Sequence, residues 1–526
     1  MSTLQISEHD KKMIFWASFL SLLAAGVGFA FRVMVLGDWQ DEFELTGAEV
    51  GSIFGYSLWP IAVTMILFSL IVDKIGPKIS MYFAFVLQAA SGVLTFLADS
   101  PIDLYVAAAC AGLGHGVVEA VINPVCASIY THEKSKMLNI LHAAWPAGLV
   151  VGGALMLTPG LSELSWQVQG LWIIVPTVIY GIMFIKPKFP IDERVRAKVP
   201  YADMLKEVGF LGAFIASFLL FYEIYGKIGA INTDLALEPA KLLWISVGFG
   251  VVVGAAFGAF TKSIGKPLFF ILCVLMIPLA TTELGTDAWI KELMTPTMGD
   301  LAGWAIVASA FIMMILRFQA GQLTKRFSPP TILVISSCFS FAGLMMLSVS
   351  AGLVVWLAFV LYAVGQTFYW PTVLGFTAER YPRGGALTLN TVSAIGLLSV
   401  GIIGAPILGA FSDNHTVNNV KEISETVYEA SKTEQSFFGA TYDSIDRTAA
   451  SEAAEAAGLA DEYNEAINNA SRQSLRTTAI SFPLVMGICF ALIALWFRAR
   501  GGYKPILLED AAASEGKDAE ASEPGF

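Results

Sequence analysis

Three polar residues spaced four apart, His115, Glu119 and Asn123, interrupt an otherwise apolar stretch at residues 109–130. In an α-helix of 3.6 residues per turn, this spacing places all three side chains on one face. A carboxylate near the middle of a bilayer costs about 3 kcal/mol unless it meets a cavity or a polar partner. This face therefore fits a pathway for a proton or a polar solute. The alternative interpretation is a structural glutamate that hydrogen-bonds between helices.

The helix that carries this face must lie in a membrane, because the whole chain is strongly apolar. Hydrophobic residues make up 56% of its 526 residues and charged residues 14%, with a mean hydropathy of +0.65. This composition indicates a polytopic membrane protein. No basic patch accompanies the net charge of −11, so we expect no nucleic-acid partner. The five cysteines show neither disulfide nor metal spacing, and we expect no metal or cofactor.

Fourteen apolar runs predict an all-α fold of about 14 transmembrane helices, with two six-helix bundles and two extra central spans. The segments that we predict are a first bundle (1–185), a basic cytoplasmic loop (186–206), the two extra spans (207–262), a second bundle (263–500) with a polar insertion (412–476), and an acidic tail (501–526).

The short loops predict the orientation of the chain. Lys and Arg are concentrated in alternate loops, which predicts that both termini and the central loop are cytoplasmic and that the insertion lies outside. The polar residues 2–12 do not resemble the start of a cleaved signal, so we expect the first apolar run to be a retained span. The expected location is the cell (inner) membrane, as a multi-pass protein.

An internal repeat relates the two bundles. Pro124 and Pro371 lie towards the same ends of the fourth and twelfth spans. Five residues before them come Glu119 and Gln366, respectively. Many transporters are duplicated bundles. One half thus carries an acid where the other carries an amide, which suits a site in which only one half handles a proton.

The loop after the second span, residues 69–78, resembles the signature loop of the major facilitator superfamily, Gly-x-x-x-Asp-(Arg/Lys)-x-Gly, with Ser in place of the first Gly. A partial copy of this loop follows the tenth span. The resemblance implies two six-helix bundles and a loop that holds the cytoplasmic side closed. The gate residues expected from it are Asp73, Lys74, Gly76 and Lys78, with Lys325 and Arg326 in the second half.

A narrower resemblance is to the fucose–proton symporter group. That group has Glu-x-x-x-Asn-Pro in the fourth span, found here from Glu119, and Leu-Asn-x-x-Gln entering the fifth, found here with Asn139 and with His142 in place of Gln. The resemblance implies proton-coupled sugar uptake. Arg32 stands where the group has an acid in its first span. It fits either an internal pair with Glu119 or the binding of an anionic substrate.

The remaining candidates each have two interpretations. His142 fits a proton relay or a simple hydrogen bond. Glu283 either lines the cavity or lies at the membrane interface, and Arg317 either snorkels and packs at the gate or contacts substrate. The last three candidates supply an amide and two flat aromatic rings. Such groups suit the binding of a sugar, yet they also fill ordinary helix interfaces. These three residues are Gln366, Tyr369 and Trp370.

The function that we expect is secondary active transport of a small, sugar-like polar solute by alternating access, as a proton-coupled symporter. The alternatives are an organic-anion or drug/proton transporter of the same superfamily and a non-transporting membrane sensor. The scattered histidines argue against an enzyme, and the absence of a nucleotide-binding loop argues against ATP-driven transport. The expected partners are a small solute, a proton or other coupling ion, and the lipid bilayer, and we expect a monomer.

Overall fold

A computed structural model describes residues 6–286, 302–350, 352 and 354–508, and most of these residues are helical. Within them, thirteen helical stretches are long and apolar enough to cross a bilayer, and Val307–Phe318 is a shorter apolar helix. The prediction of an all-α polytopic membrane protein is confirmed. The tail beyond residue 508 lies outside the described residues.

The first six spans begin in several cases with a proline in the first helical turn, where the missing N–H leaves no bond unmade. They pack mainly as pairs, span 1 on span 5 and spans 2 and 3 on span 4. Short helices, Leu36–Glu42 and Gly47–Gly55, precede span 2. The helices of spans 1–6 are Glu8–Met34, Trp59–Ile75, Pro77–Leu97, Pro101–Ile129, Lys134–Leu141 with Ala144–Leu157, and Trp166–Gly170 with Leu171–Ile173 and Ile174–Met183.

The two extra spans, Tyr201–Ile231 (span 7) and Pro239–Thr261 (span 8), pack tightly on each other. A short 3-10 turn, Thr233–Leu235, separates them. A Cβ on Gly254 of span 8 would lie only 3.0 Å from the Cβ of Phe214, so the glycine allows the close approach. Span 7 also packs against spans 9 and 13. The pair is therefore attached to the second half.

The second half contains spans 9–14, several of which are interrupted by single π turns or breaks. Spans 2 and 13 pack together, as do spans 5 and 10, and these contacts join the halves. A short α-helix, Ala320–Thr324, follows span 10, and a short 3-10 helix, Pro382–Gly384, follows span 12. The helices of spans 9–14 are Pro267–Ala280 with Thr281–Gly285, Ala302–Phe318, Pro329–Leu347, Val354–Gln366 with Tyr369–Arg380, Gly385–Ser399 with Val400–Gly404 and Ala405–Ile423, and Ala460–Ala479 with Ile480–Leu484 and Val485–Ala499.

The insertion between spans 13 and 14 forms a small cap. Its hairpin turns at Phe438 and Gly439, which contact Tyr222 and Ala240 of the extra spans. Gly458, at φ +73°, separates the helix Arg447–Ala456 from the helix Ala460–Ala479. The elements of the cap are Glu425–Ser431, strands β1 (Lys432–Phe437) and β2 (Ala440–Ile445), and Arg447–Ala456.

Candidate functional site

The polar face of span 4 is buried and hydrogen-bonded to span 5. Glu119 is 6% exposed, and its Oε2 accepts a hydrogen bond from Asn123 Nδ2 at 2.7 Å. The amide oxygen of Asn123 lies 2.9 Å from His142 Nε2. His115 Nε2 lies 3.7 Å from the other carboxylate oxygen, and its ring stacks on Trp145. We call His115, Glu119, Asn123 and His142 the Glu119 cluster.

The side-chain amide of Asn123 determines which groups donate and which accept hydrogen bonds in this cluster. Its Nδ2 donates to Glu119, so its Oδ1 must accept, and His142 Nε2 therefore carries the hydrogen. This arrangement gives a continuous polar chain from a carboxyl group to an imidazole. The carboxyl group can hold a proton, and the amide links its protonation state to the position of the imidazole.

Helix breaks at two Trp-Pro pairs expose backbone carbonyls beside the Glu119 cluster. Proline has no N–H, so Pro146 cannot bond the carbonyl of His142, and Pro371 cannot bond that of Thr367. Arg317 donates to both carbonyls instead, from Nη1 to His142 at 2.9 Å and from Nε to Thr367 at 2.7 Å. The breaks thus provide acceptors for a buried cation.

Arg317 also forms an ion pair with Glu283. Its Nη2 lies 2.7 Å from Glu283 Oε1, and the residues are only 1% and 3% exposed. The second carboxylate oxygen accepts from the backbone N–H of Trp370 at 3.0 Å. We call Arg317, Glu283 and the carbonyls of His142 and Thr367 the Arg317 junction. It joins spans 9, 10 and 12 to span 5 of the first half.

The structure corrects the expected position of Arg317. Snorkelling would place the guanidinium at the membrane surface, and a gate role would place it with Lys325 and Arg326. Both of those residues are exposed, whereas Arg317 is buried among helix breaks. Burial is favoured here because a carboxylate and two unused carbonyls satisfy the charge. Glu283 likewise lies inside the helix bundle and not at the interface.

Two asparagines at repeated positions cross between the halves. Asn139 Nδ2 donates to the carbonyl of Ser135 and lies 3.4 Å from Thr372 Oγ1 of span 12. Asn390 Nδ2 of span 13 donates to the carbonyl of Ala120 at 3.1 Å. Pro124 leaves that carbonyl unused within span 4. Asn390 was absent from the predicted site residues, although the repeated Leu-Asn dipeptide at 138–139 and 389–390 was the signal that could have found it.

The three remaining candidates of span 12 are all buried. Gln366 Nε2 donates to Ser309 Oγ at 2.9 Å, so its amide lies towards span 10. Trp370 packs against Gly396 of span 13. Tyr369 is fully buried within the helices. The rings fill helix interfaces in this conformation, which was the second of their two interpretations.

Arg32 does not join the Glu119 cluster. The possible Arg32–Glu119 ion pair is not formed, and Arg32 has no carboxylate within ion-pair distance among the described residues. Its guanidinium instead lies beside Gly28, in a small cavity between spans 1, 3 and 6. Arg32 therefore lies outside the polar centre that the other candidates form.

The predicted gate loop is bound to the central loop. Asp73 forms an ion pair with Arg194, which also donates to the carbonyl of Val199 at 2.8 Å. Lys78 Nζ donates to the carbonyl of Ile185 at 2.7 Å. Gly76, at φ +91°, ends span 2 and allows the chain to turn sharply into span 3. Lys74 lies 5.4 Å from the centre of the Tyr201 ring.

The central loop places one short helix, Glu193–Arg196, between the two halves. Lys134 at the start of span 5 pairs with Glu193 and donates to the carbonyl of Ala378 in span 12. These contacts link span 5, span 12 and the central loop. We call these contacts, together with the Asp73–Arg194 pair, the latch.

Two carboxylates extend the latch, and neither was among the predicted residues. Glu379 of span 12 accepts from the backbone and hydroxyl of Ser135, at the start of a helix where a negative charge is favoured. Asp192 accepts from Ser128 Oγ at 3.3 Å. Burial and the neighbouring carboxylate of Asp73 raise the pKa of Asp192 to about 6.

Comparison with known proteins identifies the family but not the substrate. The sequence profile of the Major Facilitator Superfamily matches residues 14–290. A hexuronate transporter of Bacillus subtilis (strain 168) is 20% identical over 200 residues. That match covers 35% of this chain and 47% of the relative, so the chain spans about half the length of the curated protein that it matches.

Solved structures share the fold. The proton:xylose symporter XylE matches with a TM-score of 0.56 and 13% identity, over 93% of this chain and 96% of that one. The fucose:proton symporter FucP of E. coli matches with a TM-score of 0.53 and 12% identity, over 89% of this chain and 97% of that one. The human organic anion transporter MFSD10 matches with a TM-score of 0.55 and 11% identity, over 91% of this chain and 99% of that one. The resemblance stated from the loop and span motifs is thus confirmed, and the chain belongs to the Major Facilitator Superfamily of membrane transporters.

Proposed function

We propose that this protein is a secondary active transporter that moves a small, sugar-like polar solute together with a proton. The observation that carries the proposal is the buried Glu119–Asn123–His142 chain, which ends at a carbonyl held by Arg317 of the other half. A carboxyl group in such a chain has two protonation states with different partners. Proton binding can therefore bias the contact between the halves.

The coupling step that we propose begins at Glu119. Protonation removes the charge that Asn123 Nδ2 and His115 now face, which weakens both interactions. A displaced Asn123 releases His142, whose carbonyl is one of the three acceptors of Arg317. Opening the cytoplasmic side also requires the latch to separate. Protonation of Glu119 thus favours opening of the Arg317 junction before release of the solute.

The solute class rests on the polar centre and on the relatives. XylE and FucP are named as sugar:proton symporters, and they share the fold. The centre of this chain offers carboxylate, amide and imidazole groups beside Trp145 and Trp370, a combination that suits a ring with several hydroxyls. A neutral or weakly charged sugar of one ring is the solute that we propose.

A sugar acid is the second candidate, favoured by Arg317 and by the name of the hexuronate relative. In the closed state Glu283 neutralises Arg317. A substrate carboxylate can replace Glu283 on the guanidinium, whose planar fork donates two parallel hydrogen bonds to one carboxylate. This route needs Glu283 to leave or to take up a proton.

We also propose the orientation, the oligomeric state and the location. The protein lies in the cell (inner) membrane with both termini in the cytoplasm and the cap outside, as the distribution of Lys and Arg indicates. It acts as a monomer, because both halves of the polar centre come from one chain.

The test begins with the choice of solute. Purified protein is screened by thermal shift against pentoses, hexoses, deoxyhexoses and hexuronates, since a ligand of the folded state raises the unfolding midpoint. The best solute is then used in proteoliposomes with and without an inward proton gradient. Glu119→Gln keeps the shape and the hydrogen bond to Asn123 but cannot gain or lose a proton.

We expect Glu119→Gln to abolish accumulation driven by the gradient and to retain exchange of labelled for unlabelled solute at equal pH. Glu163→Gln, a change at an exposed acid, is the matched control and should behave like the parent. Unchanged accumulation and pH dependence in Glu119→Gln would remove the proton role of Glu119. A stabilising hexuronate without any stabilising neutral sugar would select the second candidate.

A further inference from the structure

Arg32 is a buried cation without a partner in the described part of the chain. It is 8% exposed, and its Nε has no hydrogen-bond acceptor among the residues that the structure describes. The side chain turns back along span 1, so that a Cβ on Gly28 would lie 3.3 Å from Nη1. No carboxylate of the described residues pairs with it. A guanidinium in this position needs a counter-charge or water.

The guanidinium lines a small, largely enclosed cavity. Span 1 supplies Arg32 and Gly28, span 3 supplies Ser91 and Thr95, and span 6 supplies Gln169. The Thr95 hydroxyl donates to the Ser91 carbonyl, whereas the Ser91 hydroxyl has no partner among the described residues. A donor hydroxyl and a cation therefore meet in one space.

The size of this cavity excludes a sugar or a sugar acid. It has room for about one water-sized guest, and glycines bring its walls together. A Cβ on Gly92 would lie 2.8 Å from Ile173 Cγ2, and one on Gly170 would lie 2.6 Å from Thr95 Cγ2. None of the lining residues belongs to span 4 or to the Arg317 junction. The space is therefore separate from the polar centre.

The geometry points to a binding site for a small monovalent anion of the halide class, held by Arg32 and the Ser91 hydroxyl between spans 1, 3 and 6. The anion neutralises a charge that no carboxylate of the described residues compensates, and a monatomic ion is the anion nearest in size to the water-sized space. A water molecule would satisfy the hydrogen-bond donors but not the charge. The bound ion stabilises the packing of the first half, and this role does not depend on which solute is transported.

The experiment compares chloride and bromide with gluconate at equal ionic strength. Gluconate carries the same charge but is too large for the cavity. The purified protein is heated in detergent, and the unfolding midpoint is followed by intrinsic fluorescence as the halide concentration rises. We expect both halides to raise the midpoint saturably, because binding to the folded state stabilises it. Gluconate should leave the midpoint unchanged.

Two variants at the site and one control variant separate this site from general salt effects. Arg32→Gln should abolish the halide-dependent rise, and Arg498→Gln, a change at an exposed arginine, should retain it. Ser91→Ala removes a hydroxyl that no described residue uses, so the fold should survive while halide binding weakens by about tenfold. Anomalous scattering from bromide beside Arg32 would give a direct image of the site.

Three outcomes would overturn the inference. The first is equal unfolding midpoints in chloride and gluconate. The second is the same halide-dependent rise in Arg32→Gln and Ser91→Ala as in the parent. The third is stabilisation through Arg32 that appears only when anionic phospholipid is returned to delipidated protein, since that result would assign the guanidinium to a lipid headgroup.

Discussion

Breaking the Arg317–Glu283 pair is the sharpest test of how the polar centre is held together. Glu283→Gln keeps a hydrogen-bond acceptor but leaves the guanidinium charge buried without a carboxylate. Arg317→Gln leaves the carboxylate buried without a cation. The double variant removes both charges and places two amides where an ion pair stood.

The magnitude follows from the burial of both partners. The two residues are 1% and 3% exposed, so neither charge can turn to water without local unfolding. Removing one partner of a buried pair destabilises a protein by about 3–5 kcal/mol. Arg317 keeps two carbonyl acceptors in Glu283→Gln, which should place that variant at about 3 kcal/mol, the lower end of the range.

The assay is a double-mutant cycle on the free energy of unfolding, measured by denaturant titration in mixed micelles. The double variant should be less destabilised than the sum of the single variants, because it leaves no unpaired charge. The control is the Lys11–Glu8 pair, which has the same 2.7 Å separation but is exposed to solvent. Glu8→Gln should change the free energy by less than about 0.5 kcal/mol.

The reasoning fails on either of two results. If Glu283→Gln and Arg317→Gln each lose less than about 1 kcal/mol, the pair is accessible to water. If the double variant equals the sum of the single variants, the two side chains do not interact in the folded protein.

Three further predictions concern the latch and the topology. Asp73→Asn breaks the pair with Arg194 and should slow the transport cycle while leaving solute affinity intact; normal cycling with weak binding would contradict the gate role. Asp192 has a pKa of about 6, above its ordinary 3.8, so its contribution to stability is present at low pH and is lost as the pH rises through 6. Asp192→Asn should therefore raise the unfolding free energy at pH 7.5, by at most about 3 kcal/mol, and have little effect well below pH 4, which pH-resolved unfolding measures. In a cysteine-free background, Ser436→Cys should react with an impermeant reagent outside intact cells and Lys198→Cys should not; labelling of the latter would reverse the orientation.

The features predicted best from the sequence are those that depend on a single helix, such as which side chains share one face. The spacing of His115, Glu119 and Asn123 placed them on one face because all three lie on span 4. Apolar length was enough to predict the spans, since few other structures satisfy their backbone groups in lipid. The repeat around Pro124 and Pro371 indicated related positions in the two halves, and both prolines lie beside carbonyls that the other half or Arg317 uses.

Contacts between helices were predicted less well, for a physical reason. Lipid tails are as apolar as a helix interface, so composition does not determine how a membrane helix is rotated about its axis. Arg32 could therefore face Glu119 or the opposite side, and it faces spans 3 and 6. The Arg317–Glu283 pair joins residues 34 positions apart on separate helices, and neither residue has a spacing that indicates the other.

The length of spans 13 and 14 has a consequence for imaging this molecule. The helical stretch Pro382–Ile423, which comprises the 3-10 turn Pro382–Gly384 and span 13, contains 42 residues, and Ala460–Ala499 of span 14 contains 40. At 1.5 Å per residue each extends about 60 Å, about twice the hydrocarbon thickness of a bilayer. We therefore expect the pair to project beyond a detergent belt on the side that carries the hairpin cap. Such a projection can serve as a built-in fiducial for aligning single particles in electron cryomicroscopy, a landmark that a transporter confined to its micelle would lack.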